Sequence, residues 1–600
     1  MPFGAALIDD SVRFRLWAPA AQHVSVYVDG GAPRDAMPMQ RLEGGWFELT
    51  TAAVQTGARY RYRIDDQLEV PDPASRYQPQ DAHGPSEVVD PDAYTWQCAG
   101  WHGRPWEEAI IYELHVGSFS PEGSFDGVRK RLDYLAELGV TAIELMPVGD
   151  FPGRRSWGYD GVLPFAPDSS YGTTAQLKQL IDAAHARGLM MLLDVVYNHF
   201  GPDGNYLHVY APQFFTDRVT TPWGAAIDFA RREVREFVIH NALYWLEEYR
   251  FDGLRLDAVH AILDDSTPDI LDELAATVHE CIPKRRHVHL VLENDNNAAH
   301  YLRRTSRARA RPYVAQWNDD IHHALHVLAT NERTGYYEDY ADHPLDHLAR
   351  CLSEGFAYQG EASRYRGGQP RGEVSADLPP AAFVSFLQNH DQIGNRAFGE
   401  RLTVLAERQA LEALLAVLLL APSPPLLFMG EEWGATQPFL YFCDFHDALA
   451  DSVREGRRRE FVRFPEFQDP EARARIPDPN AEATYAQTML DWGDLEQVDH
   501  AEWLALYRRL LRLRRELIVP KLGSLAGGTA SARRFGAGGL QVTWTLDHAT
   551  LTLFANLAAT VCTEVPLLPQ GDLIYTTDHR TAASLLGDQL PPWSVLWFLA

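Results

Sequence analysis

Four segments of the sequence place carboxylates, histidines and an arginine directly behind runs of apolar residues. DVVYNH supplies Asp194 and His199, and GLRLDAVH supplies Arg255, Asp257 and His260. The run Leu290-Val-Leu292 leads into Glu293-Asn294-Asp295, and FLQNHD delivers His390 and Asp391. A single aspartate at a strand end is often a helix cap or a loop hydrogen-bonder. Four such segments in chain order, each behind an apolar strand, point instead to one shared site. The residue types suit glycosidic-bond cleavage with retention, which needs one protonated carboxyl to donate to the leaving oxygen and one ionised carboxyl to attack the anomeric carbon. Arg255 and Asp257 are two apart on a strand and so face the same side; the cation keeps Asp257 ionised, as a nucleophile requires. Glu293 follows Val-Leu with fewer cations nearby, a setting that raises a carboxyl pKa and suits the acid. His199 and His390 would donate hydrogen bonds to sugar hydroxyls, and Asp391 would bind a pair of hydroxyls and favour ring distortion.

Such residues need a scaffold that brings strand ends together. From about residue 110, strands alternate with amphipathic helices. The expected strands are Ile110–Leu114, Thr141–Pro147, Met190–Tyr197, Gly253–Ala258, Val288–Glu293, Tyr313–Trp317, Phe383–Gln388 and Pro425–Phe428. Between them lie helical stretches such as Phe125–Leu138, Ala175–Ala186, Arg231–Tyr249 and Ala406–Leu420. Eight repeats over about 400 residues predict an α/β fold, a (β/α)8 TIM barrel, whose C-terminal strand ends form one active face. Long insertions are expected after the third strand (about 200–230) and the eighth (about 434–498). Residues 1–100 show period-two runs such as Val12–Trp17, Val24–Val28 and Arg59–Ile64, followed by the turn-rich Pro71-Asp-Pro-Ala-Ser-Arg76, and predict an N-terminal β-sandwich. Period-two patterning returns at Leu540–Trp544 and Thr550–Phe554 and ends at Trp593–Phe598. The expected domains are therefore 1–100, a barrel over 101–520, and a C-terminal β-sandwich domain over 521–600.

DVVYNH, GLRLDAVH, the strand ending in Glu293, and FLQNHD together resemble the four signature regions of glycoside hydrolase family 13, the α-amylase superfamily. The resemblance covers the whole barrel. It implies Asp257 as nucleophile, Glu293 as acid/base and Asp391 as the third, transition-state-stabilising carboxylate, with Arg255, His199 and His390 around the glucose under attack. Asp194, His260 and Asn395 complete the candidate substrate-binding set. The N-terminal sandwich is similar to the family's glucan-associated domain. Segments outside the signatures, including ELHVGSFSPEGSF from Glu113, RSWGYDGVLPFAPDSSYG from Arg155 and FMGEEWGATQPF from Phe428, resemble those members that hydrolyse the α-1,4 bond beside a terminal trehalose unit. The resemblance then implies release of trehalose and a maltooligosaccharide, in functional coupling with a synthase that makes the trehalose end. A branching or debranching enzyme of the same superfamily is the nearest alternative, and a non-catalytic glucan-binding protein a more distant one. Trp157, Tyr159, Tyr197, Trp317 and Trp433 fall near predicted strand ends and could stack on sugars, although packing is the plainer role for each. Tyr313 to Trp317 is expected to wall the trehalose end, and Asp319 or Asp320 could cap the helix that follows.

Composition narrows the partners. Fifty-four basic against 82 acidic residues leave a formal charge of −28, which disfavours nucleic acid and anionic membranes. Arg457-Arg458-Arg459, flanked by Glu455 and Glu460, reads as an ion-paired surface segment. Five scattered cysteines form neither a C-x-x-C pair nor a disulfide framework, the longest apolar stretch, Leu411–Ala421, is too short to span a bilayer, and no signal peptide is evident. A cytoplasmic enzyme without cofactor is expected. Some amylases bind calcium through an asparagine placed like Asn198, but no acidic cluster here is dedicated to a metal, and none is predicted.

Overall fold

The computed structural model describes residues 1–29, 36–221, 224–303, 312–523, 525–577 and 589–600. Eight parallel strands close into a barrel in chain order: Ile111–Leu114, Ala142–Leu145, Met190–Val195, Gly253–Leu256, His289–Leu292, Ala315–Trp317, Phe383–Phe386 and Pro425–Phe428. Each lies within its predicted segment, because short apolar runs buried on both faces are what a barrel strand requires. Alternate residues point inward. Ile111, Ala142, Leu192, Val291, Ala315, Val384 and Leu426 fill the interior, with Trp106 and Ala109 packed among them. Two residues further along, several of the same strands present Glu113, Glu144, Asp194, Arg255 and Glu293 in place of the apolar side chains. The register sets Glu113 beside Glu144 and Asp194 beside Arg255.

The outer helices include Thr174–His185, Arg232–Glu247, Ile270–Cys281, Asp319–Thr330 and Arg408–Leu420. The predicted helix 125–138 is two, Phe125–Arg129 and Leu132–Leu138. The insertion after the third strand carries the hairpin Phe215–Thr221/Gly224–Ile227, and the one after the eighth carries helices Asp447–Glu460, Pro470–Ala474 and Glu482–Gln487. A third elaboration, after the helix Asp319–Thr330, was not expected: a second helix, Pro344–Glu354, and a short hairpin, Glu361–Ala362/Pro370–Arg371.

The N-terminal region is two facing sheets, one built on Ser11–Trp17 and Trp46–Thr51 and the other on Val24–Val28 and Arg59–Ile64. Asp72 of the turn-rich segment is fully buried and accepts hydrogen bonds from Tyr60 and Tyr62 at 2.7 and 3.1 Å, so this exit is pinned to the sandwich. Phe3 meets Phe237 of a barrel helix edge-on at 5.2 Å. The C-terminal β-domain contains, among the described residues, a single five-stranded sheet. Its partner layer is the barrel itself: Trp544 and Trp597 stack on one another and donate to the carbonyls of Leu352 and Ala416 on barrel helices.

Asp252, just before the fourth barrel strand, is wholly buried and ties three elements together. It accepts from Trp101 Nε1 (2.8 Å), His185 Nε2 (2.9 Å) and the backbone N–H of Met191 (2.9 Å). Removing it strands three buried donors, so Asp252→Ala is expected to destabilise the fold by about 3 kcal/mol or more. A urea-unfolding midpoint within experimental error of wild type would contradict this account.

Candidate active site

Arg255 stands at the centre of the barrel mouth, 2% exposed, its guanidinium 4.1 Å above the Trp317 ring. One nitrogen donates to Asp194 Oδ2 at 2.8 Å and to Asp257 Oδ1 at 2.7 Å; the other lies 3.8 Å from Glu293 Oε2. A single planar cation thus fixes three carboxylates from three successive strands. The other oxygen of Asp257 accepts from Asn198 Nδ2 at 2.9 Å, and the same amide also holds the Asp257 carbonyl at 2.9 Å. Burial pushes the Asp257 pKa up, but Arg255, His199 and the Asn198 hydrogen bond outweigh it and hold the carboxyl below its usual range.

The chain then turns through Ala258, whose φ of +40° lies in the left-handed region that an alanine rarely adopts. The turn aims the Ala258 N–H at Glu293 Oε2, 2.5 Å away, while Val259 N–H donates to the Glu293 carbonyl at 3.0 Å. Burial drives the Glu293 pKa well above the ordinary carboxylate value; Asp257, Asp319 and Asp391 reinforce this and Arg255 opposes it. Two carboxyls on one guanidinium are therefore driven in opposite directions, one ionised and one protonated at neutral pH.

Aromatic and imidazole groups ring the pair. Tyr159 donates to Asp194 at 2.7 Å and, having spent its proton there, accepts from His390 Nε2 at 2.8 Å. The other ring nitrogen of His390 faces the Glu113 carboxylate. Both nitrogens then donate, which makes His390 an imidazolium; burial works against this charge, and Glu113 outweighs it. His199 contacts Asn198 through Nδ1 and the Tyr159 carbonyl through Nε2 at 2.9 Å, and burial lowers its pKa. Asn389 caps the helix His390–Gly394 by accepting from the N–H groups of Asp391 and Gln392. That places Asp391 at the cleft surface with Asn395 donating to it at 2.7 Å.

A cavity of about 260 Å³ opens beside Glu293 and Asp391 and is walled further out by His260, Asp295, Asp319 and Arg366. His260 accepts from the Asp295 N–H at 3.3 Å. Arg366 and Arg371, brought in by the unexpected hairpin, both bind Asp295: Arg366 donates to its carbonyl at 2.8 Å and Arg371 at 2.9 Å. Burial, with Asp295 and Asp391 adding and Arg371 opposing, pushes Asp319 up to about 7.

Other candidates lie elsewhere. Tyr313 is fully buried with its hydroxyl on the Leu271 carbonyl, a core residue with no face to the cleft. Trp317 is the platform beneath Arg255 and is itself covered. Trp157 packs against Phe439 and donates to the Leu440 carbonyl; Tyr197 binds Asn241; Trp433 is buried among Tyr134 and Trp492. Of the five aromatics near strand ends, Tyr159 alone is only partly buried, and one face is taken by His390. Neither Asp319 nor Asp320 caps its helix. Asp320 is buried and accepts from Ala357, Tyr358 and Asn297. Sequence reasoning missed Glu113 and Glu144, although a carboxylate inside a four-residue apolar strand is a readable signal. Glu144 has no hydrogen-bond partner, and burial, with Glu113 and Asp194 adding, holds it far up the scale and protonated. Asn198, weighed above as a calcium ligand by resemblance, has its amide committed to Asp257. Among the described residues no group of three or more His, Cys, Asp or Glu side chains is disposed to hold a metal ion.

Comparison with known proteins places this geometry. Residues 85–218 match the alpha amylase catalytic domain, residues 2–79 match carbohydrate-binding module 48 (isoamylase N-terminal domain), and residues 527–597 match a domain of unknown function, DUF3459. The chain is 40% identical over 520 residues to a malto-oligosyltrehalose trehalohydrolase of Saccharolobus solfataricus, covering 86% of this chain and 87% of the relative. It is 43% identical over 505 residues to one from Deinococcus radiodurans, covering 84% and 81%. Among solved structures, a putative alpha amylase from Salmonella typhimurium superposes with a TM-score of 0.94 at 46% identity, covering 100% of this chain and 99% of that one.

The opposite pKa directions of Asp257 and Glu293 predict a bell-shaped dependence of kcat/KM on pH, its acid limb following loss of the Asp257 charge and its alkaline limb loss of the Glu293 proton. Asn198→Ala removes a donor to ionised Asp257, so the acid limb should move to higher pH and kcat should fall about tenfold. An acid limb that stays in place in this variant would show that Asn198 does not stabilise the charge.

Proposed function

The chain belongs to the malto-oligosyltrehalose trehalohydrolase family, within the α-amylase superfamily, and we propose that it hydrolyses the α-1,4 bond next to the terminal trehalose unit of maltooligosyltrehalose. The products are free trehalose and a shortened maltooligosaccharide. The pair of carboxyls on Arg255, one held ionised and one held protonated, supports the bond chemistry; the observation that carries the trehalose reading is the 40% and 43% identity to malto-oligosyltrehalose trehalohydrolases over most of the chain.

In the proposed reaction an Asp257 oxygen attacks the anomeric carbon of the glucose whose C1 forms the bond to trehalose. Glu293 gives its proton to the glycosidic oxygen as that C–O bond breaks, and trehalose leaves with the proton. A covalent glucosyl ester on Asp257 remains. Glu293, now ionised, takes a proton from water, whose oxygen attacks the same carbon and returns Asp257 as carboxylate. Two inversions give net retention. Asp391 is open to the cleft and suited to hydroxyls of the distorted ring; His199 and His390, whose ring nitrogens are engaged by Tyr159, Asn198 and Glu113, act one step back from the sugar instead of as the direct donors expected from the sequence. Asp194, Asn198 and Trp317 act one step back, on Arg255 and Asp257. His260, Asp319 and Arg366 wall the same cavity as Glu293 and would face the leaving trehalose there. The residue ranges 1–100, 101–520 and 521–600 serve as working domains. All five cysteines are free, and no helix among the described residues is long and apolar enough to cross a membrane, which fits the proposed cytoplasmic setting. A maltooligosyltrehalose-forming synthase would supply the substrate.

Incubation with maltooligosyltrehalose should release trehalose and maltooligosaccharide in equal amounts, with the new reducing end first appearing as the α-anomer by NMR. Recovery of branched glucan without trehalose would reject the assignment. Glu293→Gln is expected to lower kcat by about 10²–10⁴-fold, and Asp257→Ala to abolish turnover, both with unchanged circular dichroism. Near-wild-type turnover in either variant would reject the mechanism.

A further inference from the structure

Glu113 sits in the first barrel strand, almost wholly buried, yet a continuous hydrogen-bonded route joins it to the nucleophile. One carboxylate oxygen faces His390 Nδ1, and the other accepts from the His390 backbone N–H at 3.2 Å. His390 Nε2 meets the Tyr159 hydroxyl at 2.8 Å, and that hydroxyl meets Asp194 Oδ2 at 2.7 Å. Arg255 then links the same Asp194 oxygen to Asp257. The rings along the route are fixed. Tyr159 stacks on His390 with centroids 5.2 Å apart, and Trp157 and Trp317 pack against the imidazole at 5.7 and 6.0 Å.

The number of protons sets the direction of this chain. Glu113 and Asp194 are acceptors at its two ends, and burial pushes the Asp194 pKa up only to about 6, so it is ionised at neutral pH. Three links (Glu113 to His390, His390 to Tyr159, Tyr159 to Asp194) need three protons, and the phenol supplies one. The imidazole must supply the other two. A neutral imidazole would leave one link with lone pair against lone pair, and the phenol proton would turn to His390 or to Asp194 but not both. Glu113 is the carboxylate in contact with the ring. Arg255 opposes the imidazolium, and Asp391 favours it from a side chain held at the cleft surface. His115 is neutral, its pKa lowered to about 4 by burial, and Glu144 beside Glu113 keeps its proton.

We propose that Glu113 is a positioning residue for glycosidic cleavage: by keeping His390 doubly protonated it commits the Tyr159 proton to Asp194, and so steadies Arg255 between Asp194 and the Asp257 nucleophile. It acts through His390 and Tyr159 and touches no substrate. Glu113→Gln keeps the size of the side chain and an acceptor for Nδ1 but removes the charge. The imidazole then becomes neutral, retains its proton on Nδ1, and takes the Tyr159 proton on the Nε2 lone pair. Asp194 loses one of its two side-chain donors, and Arg255 is shared less evenly with Asp257. The effect on turnover rests on the trehalohydrolase reading; the protonation of His390 can be measured independently of it.

The test is a double-mutant cycle of Glu113→Gln and Tyr159→Phe in the full-length enzyme, read as kcat and KM on maltooligosyltrehalose. Each single change should lower kcat about tenfold or more, and Glu113→Gln should leave KM within about threefold. Both changes remove the same bond from Tyr159 to Asp194, so the double variant should be at most about twofold slower than the slower single one. Losses that multiply, or a wild-type kcat in folded Glu113→Gln, would overturn the proposal. A second measurement needs no change at Glu113: 15N NMR of histidine-labelled wild type at about pH 8, where an ordinary imidazole is neutral. An imidazolium signal that disappears in His390→Gln is expected, and a neutral His390 would overturn the proposal. Absence of trehalose among the products of the unmodified enzyme would reject the functional reading instead and leave the proton chain to be judged by the NMR.

Discussion

A guanidinium buried in a barrel mouth is costly unless opposite charges surround it. Arg255 meets this cost with Asp194 and Asp257 in direct contact, Glu293 close by, and the face of Trp317 beneath. The arrangement depends on the barrel's register. Asp194 and Arg255 are neighbours across the third and fourth strands, and Asp257 follows Arg255 on the same face. A one-residue slip of the fourth strand would turn Arg255 and Asp257 outward together and leave Asp194 and Glu293 without their cation. The covered Trp317 and the fully bonded Asp252 at the other end of that strand belong to the same constraint, since both hold the strand where Arg255 must stand.

Chemistry and specificity occupy different parts of the fold. The groups that set charge and proton position lie on strands or within a few residues of their ends, where backbone pairing fixes them. The groups around the outer cavity come from long excursions between strands: the hairpin with Arg366 and Arg371 and the loop with Tyr336. These, and the insertion after the eighth strand, are joined to the barrel by charged clamps at carbonyls and carboxylates, such as Arg457 on Gly394 and Arg371 on Asp320. Substrate range can then change by loop replacement without disturbing the Arg255 cluster.

The same division governs what could be read from the sequence. All eight barrel strands were legible, because each is a short apolar run ending in polar residues. The carboxylates at those ends were legible for the same reason. Aromatic positions were not: nearness to a strand end does not tell whether a ring faces the cleft, the barrel interior or the helices. Tyr313 therefore proved to be core and Trp317 a covered platform. Arg457 looked like a surface residue because it sits in a run of arginines, yet the helix turns it alone toward buried carbonyls. Arg366 and Arg371 carried no signal, since about seventy residues separate them from the Asp295 they bind. Glu113 and Glu144 could have been found, by asking why a barrel strand should contain a carboxylate at all.

That question has an electrostatic answer. Glu113, Glu144, Asp194, Asp257 and Glu293 converge on the barrel mouth, where Arg255 and the His390 imidazolium are the cations that face them. Five negative charges against two positive ones cannot all persist in a poorly solvated space, so some of these carboxyls must keep their protons. The best-served site ionises first: Asp257, with Arg255 and Asn198. Glu144, with no partner, stays protonated, and Asp194 is pushed by burial to about 6. Glu293 holds only the more distant edge of the guanidinium and one backbone N–H, so it falls on the protonated side. The acid is thus set by burial, which its more distant hold on the shared cation only partly opposes. Glu144, kept neutral, adds no charge to this balance; the carboxyls that reinforce the raised pKa of Glu293 are Asp257, Asp319 and Asp391.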